Sequence, residues 1–120
     1  MTKPLAFVVE DDPHLNQIFT LTLAESFEVE TIADGSHALM RLSDTVPDLI
    51  ILDINLPGAS GTQVLEWIRS SARFDRTRVI LATANSHQAN ELQDMVDLVL
   101  LKPISPAQLR ELAVRLGKTR

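Results

Sequence analysis

Charged residues with complementary chemistry follow three short apolar segments of the chain. Glu10, Asp11 and Asp12 follow the first segment, Asp53 follows the second, and Lys102 follows the third. Carboxylates gathered around one ammonium group are typical of sites that hold a divalent cation and a phosphoryl group. The sequence therefore predicts such a site, provided that the three segments end at the same place in the fold.

The three apolar segments are predicted to be parallel strands: Leu5–Val9, Leu49–Leu52 and Leu98–Leu101. Further strands are predicted at residues 27–32 and 79–82, and amphipathic helices at residues 13–26, 35–43, 62–72, 85–95 and 105–117. This alternation is typical of βαβ units around a parallel sheet. We therefore expect one α/β domain over residues 1–120, a doubly wound, flavodoxin-like sheet of five parallel strands in the order 2-1-3-4-5 with five helices.

Side-chain periodicity predicts which residues of the helices are buried. The first helix is expected to turn one face inward, formed by Leu15, Ile18, Phe19 and Leu23. Met40 and Met95 are expected to fill gaps in the core, and Trp67 to be half-buried.

The predicted strand order also predicts where a ligand binds. In doubly wound sheets, ligands bind beyond the carboxyl ends of the strands where the order reverses, here between strands one and three. Repulsion makes the carboxylates there costly unless a cation is present, and Mg²⁺ is well suited to such a donor set. Asp53 is the candidate nucleophile for phosphorus, since it stands alone after the central strand. Lys102 and the hydroxyl of Thr83 could contact phosphoryl oxygens.

Composition makes several other classes of protein improbable. The formal net charge is −5, which disfavours direct binding to nucleic acid or to an anionic membrane. The basic residues that come closest to a cluster are interrupted by Asp75, and we interpret them as a solvated helix end and loop rather than a docking surface: Arg69, Arg73, Arg76 and Arg78. The absence of cysteine and of long apolar runs predicts a cytoplasmic protein with no membrane contact.

Four ordered motifs give the whole chain a family resemblance. They are VVEDD at residues 8–12, ILDINLPG at 51–58, LATA at 81–84 and LKP at 101–103. Together they resemble the receiver domain of two-component response regulators. The resemblance implies that Asp53 is the phospho-acceptor, Thr83 the switch hydroxyl and Lys102 the lysine that contacts the phosphoryl group. It also implies a Mg²⁺ site formed by Glu10, Asp11, Asp53 and the backbone carbonyl of Asn55. A cis peptide before Pro103 is implied as well, and Asp12 is left out of the metal site.

The resemblance further implies how such a chain works. A sensor histidine kinase or a histidine phosphotransfer protein would supply the phosphoryl group, and the chain would act as a conformational switch on an output domain or protein. It would not be an enzyme beyond catalysing its own phosphorylation and dephosphorylation. A phosphorylation-dependent dimer is compatible with this mode of action. Asn55 and Asn85 are expected to flank the path of water to the phosphoryl group. Asn55→Arg is therefore predicted to change the rate at which phosphorylated Asp53 loses its phosphoryl group.

Three departures from the family pattern leave alternatives open. Val99 stands where receivers usually carry tyrosine or phenylalanine, residues 83–102 are shorter than the family norm by nearly a helical turn, and Met95 and Val96 replace a small Gly-Ala pair. One alternative is therefore a receiver-like interaction module with impaired phosphorylation or atypical output. A Mg²⁺-dependent phosphohydrolase is less favoured, because haloacid-dehalogenase-like enzymes carry an Asp-x-Asp nucleophile motif after the first strand. We find no glycine-rich nucleotide loop.

Overall fold

Strands and helices alternate along residues 2–118, which are the residues that the computed structural model describes. The strands are β1 (Leu5–Val9), β2 (Glu28–Ile32), β3 (Leu49–Leu52), β4 (Arg78–Thr83) and β5 (Leu98–Leu101). The helices are α1 (Pro13–Leu23), α2 (Gly35–Asp44), α3 (Gly61–Arg69), α4 (Ser86–Leu92) and α5 (Pro106–Lys118). Short 3₁₀ helices follow α3 at Ala72–Phe74 and α4 at Gln93–Met95.

The five strands form one parallel sheet in the order β2-β1-β3-β4-β5. The register pairs Val9 of β1 with Leu52 of β3, so the residues that follow these strands, Glu10 and Asp53, leave the sheet side by side. The predicted fold class and strand order are thereby confirmed. The order reverses between β1 and β3, and both strands end at the same edge of the sheet.

Two apolar cores cover the two faces of the sheet. Side chains of α1 and α5 such as Phe19 and Leu109 pack on one face, against residues that include Val8 and Ile51. Helices α2, α3 and α4 pack on the other face through a second cluster of buried residues. All four residues of β3 are buried, as expected of a central strand covered on both sides.

Most helices begin with a side-chain cap close to the carboxyl end of a strand. The capping oxygens belong to Asp12, Asp34, Ser60, Asn85 and Ser105, and each accepts a hydrogen bond from a backbone N–H in the first turn. Ser60 and Gln63 form a reciprocal capping box at the start of α3. The amino ends of the helices are therefore placed at the same edge as the carboxyl ends of the strands.

Several predicted boundaries were wrong by a few residues, for reasons visible in the backbone. Helix α1 ends at Leu23 instead of residue 26, because the N–H groups of Ser26 and Phe27 both donate to the Leu23 carbonyl and close the helix in a turn. Phe27 consequently lies in that turn, and β2 begins one residue later than predicted. Helix α3 ends at Arg69, and the chain continues in a 3₁₀ turn where the prediction had extended the helix.

Two side-chain predictions also need correction. Ile18 is 43% exposed, because the buried face of α1 runs through Asn16, Phe19, Thr22 and Leu23 instead. Met40 on α2 is 62% exposed and does not fill the core. Met95 does pack against the core, and Trp67 is half-buried beside the Phe74 ring, with ring centroids 5.4 Å apart.

The short fourth helix is held in place from α3. Helix α4 has seven residues and ends at Leu92, so it is shorter than the helix predicted over residues 85–95, and the chain continues there as a 3₁₀ helix. The Arg69 guanidinium donates to the Met95 carbonyl at 2.7 Å and lies 3.5 Å from the Asp97 carboxylate. Asp97 also accepts the Val79 N–H at 2.7 Å and pairs with Arg78. The arginines at this end of the sheet thus tie elements together instead of forming a simple solvated cluster.

Within the described part of the chain, no helix is both long and apolar enough to cross a membrane.

Candidate functional site

Three carboxylates come together at the carboxyl edge of the sheet. Glu10 and Asp11 follow β1 and Asp53 follows β3, and one oxygen from each residue lies within 4.8 Å of the other two. Glu10 and Asp53 are buried, with 2% and 7% exposure, whereas Asp11 is exposed to solvent. The parallel register produces this arrangement, since neighbouring strands deliver their next residues to one place.

Lys102 reaches the two buried carboxylates. Its Nζ lies 2.6 Å from Glu10 Oε1 and 3.0 Å from Asp53 Oδ2, as hydrogen-bonded ion pairs. The Lys102 N–H donates to the Thr83 carbonyl at 2.9 Å, which places the lysine at the end of β4. The peptide between Lys102 and Pro103 is cis. A residue 92 positions from Glu10 therefore completes the cluster.

The backbone around Asp53 holds its carboxylate in position. The Ile54 N–H donates to Asp53 Oδ1 at 2.7 Å, so each carboxylate oxygen has one donor. The Gly61 N–H donates to the Ile54 carbonyl at 2.7 Å, and a Cβ on Gly61 would lie 2.0 Å from the Asp53 carbonyl oxygen. A side chain at position 61 would therefore displace the start of α3 or the backbone of Asp53.

Two charged residues next to Asp53, the buried Glu10 and the partly buried Lys102, have shifted pKa values. Burial raises the pKa of Glu10, and the hydrogen bonds from Lys102 and from the Asp12 N–H offset this only in part. Burial acts to lower the pKa of Lys102, but the hydrogen bonds to Glu10 and Asp53 outweigh it, so the pKa is raised. The ammonium stays charged at neutral pH, while the carboxyl group of Glu10 remains costly to ionise.

Within residues 2–118, the side chains of Thr83, Asn55 and Asn85 form no hydrogen bond to the three carboxylates or to the Lys102 ammonium. Thr83 is fully buried, and its hydroxyl accepts the Asn85 N–H at 3.2 Å. The side-chain oxygen of Asn85 accepts the Gln88 N–H as the cap of α4, so that oxygen is already engaged. Asn55 is exposed in the loop after β3, two residues beyond Asp53. The functional roles assigned to Thr83 and to the Asn55 carbonyl stay predictions.

Asp12 and Asn16 support the cluster from α1. The Asp12 carboxylate accepts the N–H groups of His14 and Leu15, so it caps the helix. Asn16 is 8% exposed, and its side-chain nitrogen lies 2.9 Å from the Glu10 carbonyl oxygen. Asn16 was missed in the sequence. The signal was present, since a polar residue stands next to apolar Leu15 and three residues before Phe19 on the buried side of α1.

The donor set suits a small divalent cation. Three carboxylates offer hard oxygen ligands of the kind that Mg²⁺ prefers, and the exposed side of Asp11 leaves room for the waters that Mg²⁺ usually keeps. Histidine and thiolate ligands, which favour zinc or copper, are absent from the group formed by Glu10, Asp11 and Asp53. The residues present therefore fit a magnesium ion.

Comparison with known proteins places this arrangement in a family. A family model for the response regulator receiver domain matches residues 6–114. The phosphate regulon transcriptional regulatory protein PhoB of Rhizobium meliloti is 36% identical over 110 residues, which are 88% of this chain and 48% of that protein. The DNA-binding response regulator MtrA of Mycolicibacterium smegmatis is 33% identical over 103 residues, or 85% of this chain and 45% of that protein. The chain thus spans about half the length of these two relatives.

Solved structures show the same fold. The chemotaxis response regulator CheY4 of Vibrio cholerae has a TM-score of 0.86 at 27% identity, covering 96% of this chain and 99% of that one. The receiver domain of the sensor histidine kinase PA1611 of Pseudomonas aeruginosa has a TM-score of 0.88 at 27% identity, covering 98% and 100%. That structure holds a magnesium ion coordinated in its active-site cleft.

The family match covers most of the chain, and the site lies where the strand order reverses, between β1 and β3. Receiver domains are regulatory domains of two-component signalling. The chain belongs to the response regulator receiver domain family.

Proposed function

We propose that this chain accepts a phosphoryl group on Asp53 in a Mg²⁺-dependent reaction and acts as a conformational switch. The observation that carries the proposal is the environment of the Asp53 carboxylate. It lies between the Ile54 N–H and the Lys102 ammonium, with oxygens of Glu10 and Asp11 within 4.8 Å. A carboxylate that is aligned, largely desolvated and flanked by a cation and metal ligands is equipped for phosphoryl transfer.

The reaction would exchange one bond to phosphorus for another. A carboxylate oxygen of Asp53 attacks the phosphorus of a phosphohistidine, the P–N bond breaks, and the electron pair and a proton go to the departing imidazole. The product is an acyl phosphate on Asp53. Phosphoryl transfer requires mainly alignment and charge stabilisation, so a general base is not needed at the carboxylate.

We propose distinct roles for the surrounding residues. Glu10, Asp11, Asp53 and the Asn55 carbonyl would hold Mg²⁺, which supplies positive charge to the phosphoryl oxygens when bound. The Lys102 ammonium would move from the Asp53 carboxylate to a phosphoryl oxygen, a short displacement given its 3.0 Å contact. The buried Thr83 hydroxyl, at the end of β4, would turn toward the phosphoryl group and exchange its bond with the Asn85 N–H.

We propose that a sensor histidine kinase or a histidine phosphotransfer protein delivers the phosphoryl group. An open groove of about 400 Å³ beside the site, lined by residues that include Asp11, Gln17 and Leu21, gives such a partner access to the acids. Leu21 is 67% exposed on the outer surface of α1. The relative named hybrid signal transduction histidine kinase D, from Dictyostelium discoideum, is 33% identical over 110 residues, and this chain covers 7% of it.

We place the chain in the cytoplasm, since it has no cysteine.

The output would be an attached domain or a separate protein, by analogy with the transcriptional regulators among its relatives. We also include a second copy of this chain as a partner after phosphorylation. Leu101 at the end of the edge strand β5 is 50% exposed and could contribute to such contacts. Molar mass measured by light scattering before and after phosphorylation tests this association.

One observation favours an atypical output. Val99 lies partly buried on β5 against the core formed with α2, α3 and α4, so no aromatic side chain at that position can relay a movement of Thr83. An interaction module with altered switching is therefore the second candidate. It would take up the phosphoryl group without a change in the amide signals of α4 and β5, which distinguishes it from a switching receiver.

The proposal is tested by phosphorylation with a small donor. The purified chain is incubated with acetyl phosphate and Mg²⁺, and the intact protein is weighed by mass spectrometry. We expect the mass gain of one phosphoryl group, and no gain when EDTA replaces Mg²⁺. Asp53→Asn keeps the shape of the side chain but removes the nucleophilic carboxylate, so it should remain unmodified. An equal gain in Asp53→Asn would contradict the proposed acceptor.

A further inference from the structure

Asn16 holds the ends of two strands through one side-chain nitrogen. Its Nδ2 lies 2.9 Å from the Glu10 carbonyl oxygen, 3.2 Å from that of Ile32 and 3.4 Å from that of Val8. The side-chain oxygen of Asn16 in turn accepts the Thr20 hydroxyl at 3.2 Å, which orients the amide. Two amide hydrogens are therefore shared among three carbonyl groups at the carboxyl ends of β1 and β2.

With these contacts, every polar atom of Glu10 has a hydrogen-bond partner. Its N–H donates to the Ile32 carbonyl at 3.0 Å, and its carboxylate accepts from Lys102 and from the Asp12 N–H. The Glu10 carbonyl, the last polar group of the residue, is the one that Asn16 holds. Glu10 therefore has a partner at every polar atom, and Asn16 supplies the one that controls the direction of the chain leaving β1.

The direction of the chain matters most for Asp11. Within residues 2–118, the structure gives the Asp11 carboxylate no hydrogen bond of its own, and the residue is exposed. The orientation of Asp11 consequently depends on the peptide that joins it to Glu10, and the carbonyl of that peptide is bound by Asn16. If the peptide rotated, the Asp11 carboxylate would move away from Glu10 and Asp53.

We propose that Asn16 is a positioning residue for the divalent cation: it fixes the Glu10–Asp11 peptide so that both carboxylates face the same point as Asp53. The inference rests on the proposed function, since it concerns the same site. Partners that orient metal ligands commonly change metal affinity by about 10–100-fold when they are removed. Because Asn16 acts through the backbone, we expect the lower end of that range.

The test compares Mg²⁺ binding in the wild-type chain and in Asn16→Leu by isothermal titration calorimetry. Leucine is close in size to asparagine but cannot donate to the three carbonyls. We expect the dissociation constant for Mg²⁺ to rise about tenfold. The Mg²⁺ concentration that gives half the maximal rate of acetyl phosphate labelling should rise by the same factor. The maximal rate at saturating Mg²⁺ should stay near the wild-type value.

Thr22→Val is the matched control for a purely structural effect. Thr22 is also on the buried face of α1, is 7% exposed and donates to the Ile18 carbonyl at 2.7 Å, but it does not contact Glu10. We expect this variant to lose stability while its Mg²⁺ affinity stays within about twofold of wild type. Asn16→Ser is measured in parallel. The single short hydroxyl of serine cannot replace the amide, and because serine perturbs the packing less than leucine, this variant should still fold.

The outcomes separate this inference from the proposed function. If the wild-type chain binds no Mg²⁺, the proposed function fails and the inference fails with it. If the wild-type chain binds Mg²⁺ and a folded Asn16 variant binds it equally well, only the inference is overturned. Equal weakening in Thr22→Val would also overturn it, since the effect would then follow from any damage to α1.

Discussion

The ammonium group of Lys102 contacts both buried carboxylates of the site. It offsets part of the repulsion between Glu10 and Asp53 before any ligand arrives. We propose that the same charge then stabilises the transferred phosphoryl group. These two effects can be separated, since the first acts on stability and the second on rate.

We expect Lys102→Ala to slow acetyl phosphate labelling of Asp53 by about 10²-fold at saturating Mg²⁺, as is typical when a charge-stabilising donor is lost. Labelling is followed by mass spectrometry over time. Lys3→Ala is the control, because Lys3 is exposed and donates to the Ala24 carbonyl, away from the acids. A wild-type labelling rate in Lys102→Ala would exclude a role for this lysine in the transfer.

Asn55 is the residue at which we expect the lifetime of the phosphoryl group to be set. It is exposed two residues after Asp53, whereas the Asn85 oxygen is occupied as a helix cap. Asn55→Arg should cover the acceptor, exclude water and slow dephosphorylation by about threefold. The decay of the phosphorylated protein after removal of the donor measures this effect. An unchanged decay would remove Asn55 from the path of water.

The sequence predicted the reactive side chains of the site better than the groups that hold them in place. Asp53 could be recognised because an acid directly follows four apolar residues on a central strand. The Ile54 N–H and the close approach of Gly61 could not, since they depend on the path of the backbone after β3. Asn16 is intermediate: its polar side chain on the buried face of α1 was visible, but its three partners were not.

The elements at the far edge of the sheet are joined through Asp97. This residue precedes β5, and its carboxylate accepts the N–H of Val79, a fully buried residue on β4. We expect Asp97→Ala to lower the free energy of unfolding by about 1–3 kcal/mol, because the Val79 N–H would lose its acceptor inside the protein. Urea denaturation measures the loss. The exposed neighbour Asp94 serves as control, and an equal loss in Asp94→Ala would argue against this explanation.

Strand β2 and helix α2 are joined by the ion pair of Glu30 and Arg41. The hydrogen bonds from Arg41 lower the pKa of Glu30, so the ionised carboxylate favours the folded state. Its stabilising effect should be present above the ordinary pKa of glutamate and should disappear as the pH falls through that value to the lowered one. Glu30→Gln should therefore be less stable than wild type at pH 7, by a small margin typical of partly exposed pairs.

Thermal unfolding of Glu30→Gln and wild type across the acidic range checks this sign. The two proteins should converge in stability at low pH, once Glu30 is protonated in the folded state. A difference that persists or grows at low pH would show that the substitution acts through packing instead of charge.

The order of elements followed from the sequence because the apolar segments are short and separated by clear helix caps. The strand order followed from the flavodoxin-like arrangement that we assumed for this alternation. Exposure along single helices was less predictable. Ile18 fits the apolar periodicity of α1, yet the structure turns Asn16 and Thr22 inward. Asn16 faces inward because its amide donates to carbonyl groups at the ends of β1 and β2. Apolar periodicity alone therefore gave the wrong face for Ile18.

For the whole molecule, we propose that the sheet keeps the phosphorylation site apart from the surface that passes on the signal. The acids and Lys102 lie at its carboxyl edge, whereas the departures from the family pattern lie between the start of α4 and the end of β5. Thr83 is the residue that links the two, since β4 ends there and its carbonyl accepts the Lys102 N–H. A change at Asp53 would therefore reach β5 through the end of β4, with Val99 in place of an aromatic relay.

Asp53 is the proposed acceptor of the phosphoryl group, and chemical trapping can identify the acceptor directly. Borohydride reduces an acyl phosphate to an alcohol, so treatment of the phosphorylated chain should convert residue 53 to homoserine, which peptide mass spectrometry identifies. We expect this conversion at residue 53 alone, and only after incubation with acetyl phosphate and Mg²⁺. Homoserine at position 11 or 12, or phosphorylation without any conversion of residue 53, would contradict Asp53 as the acceptor.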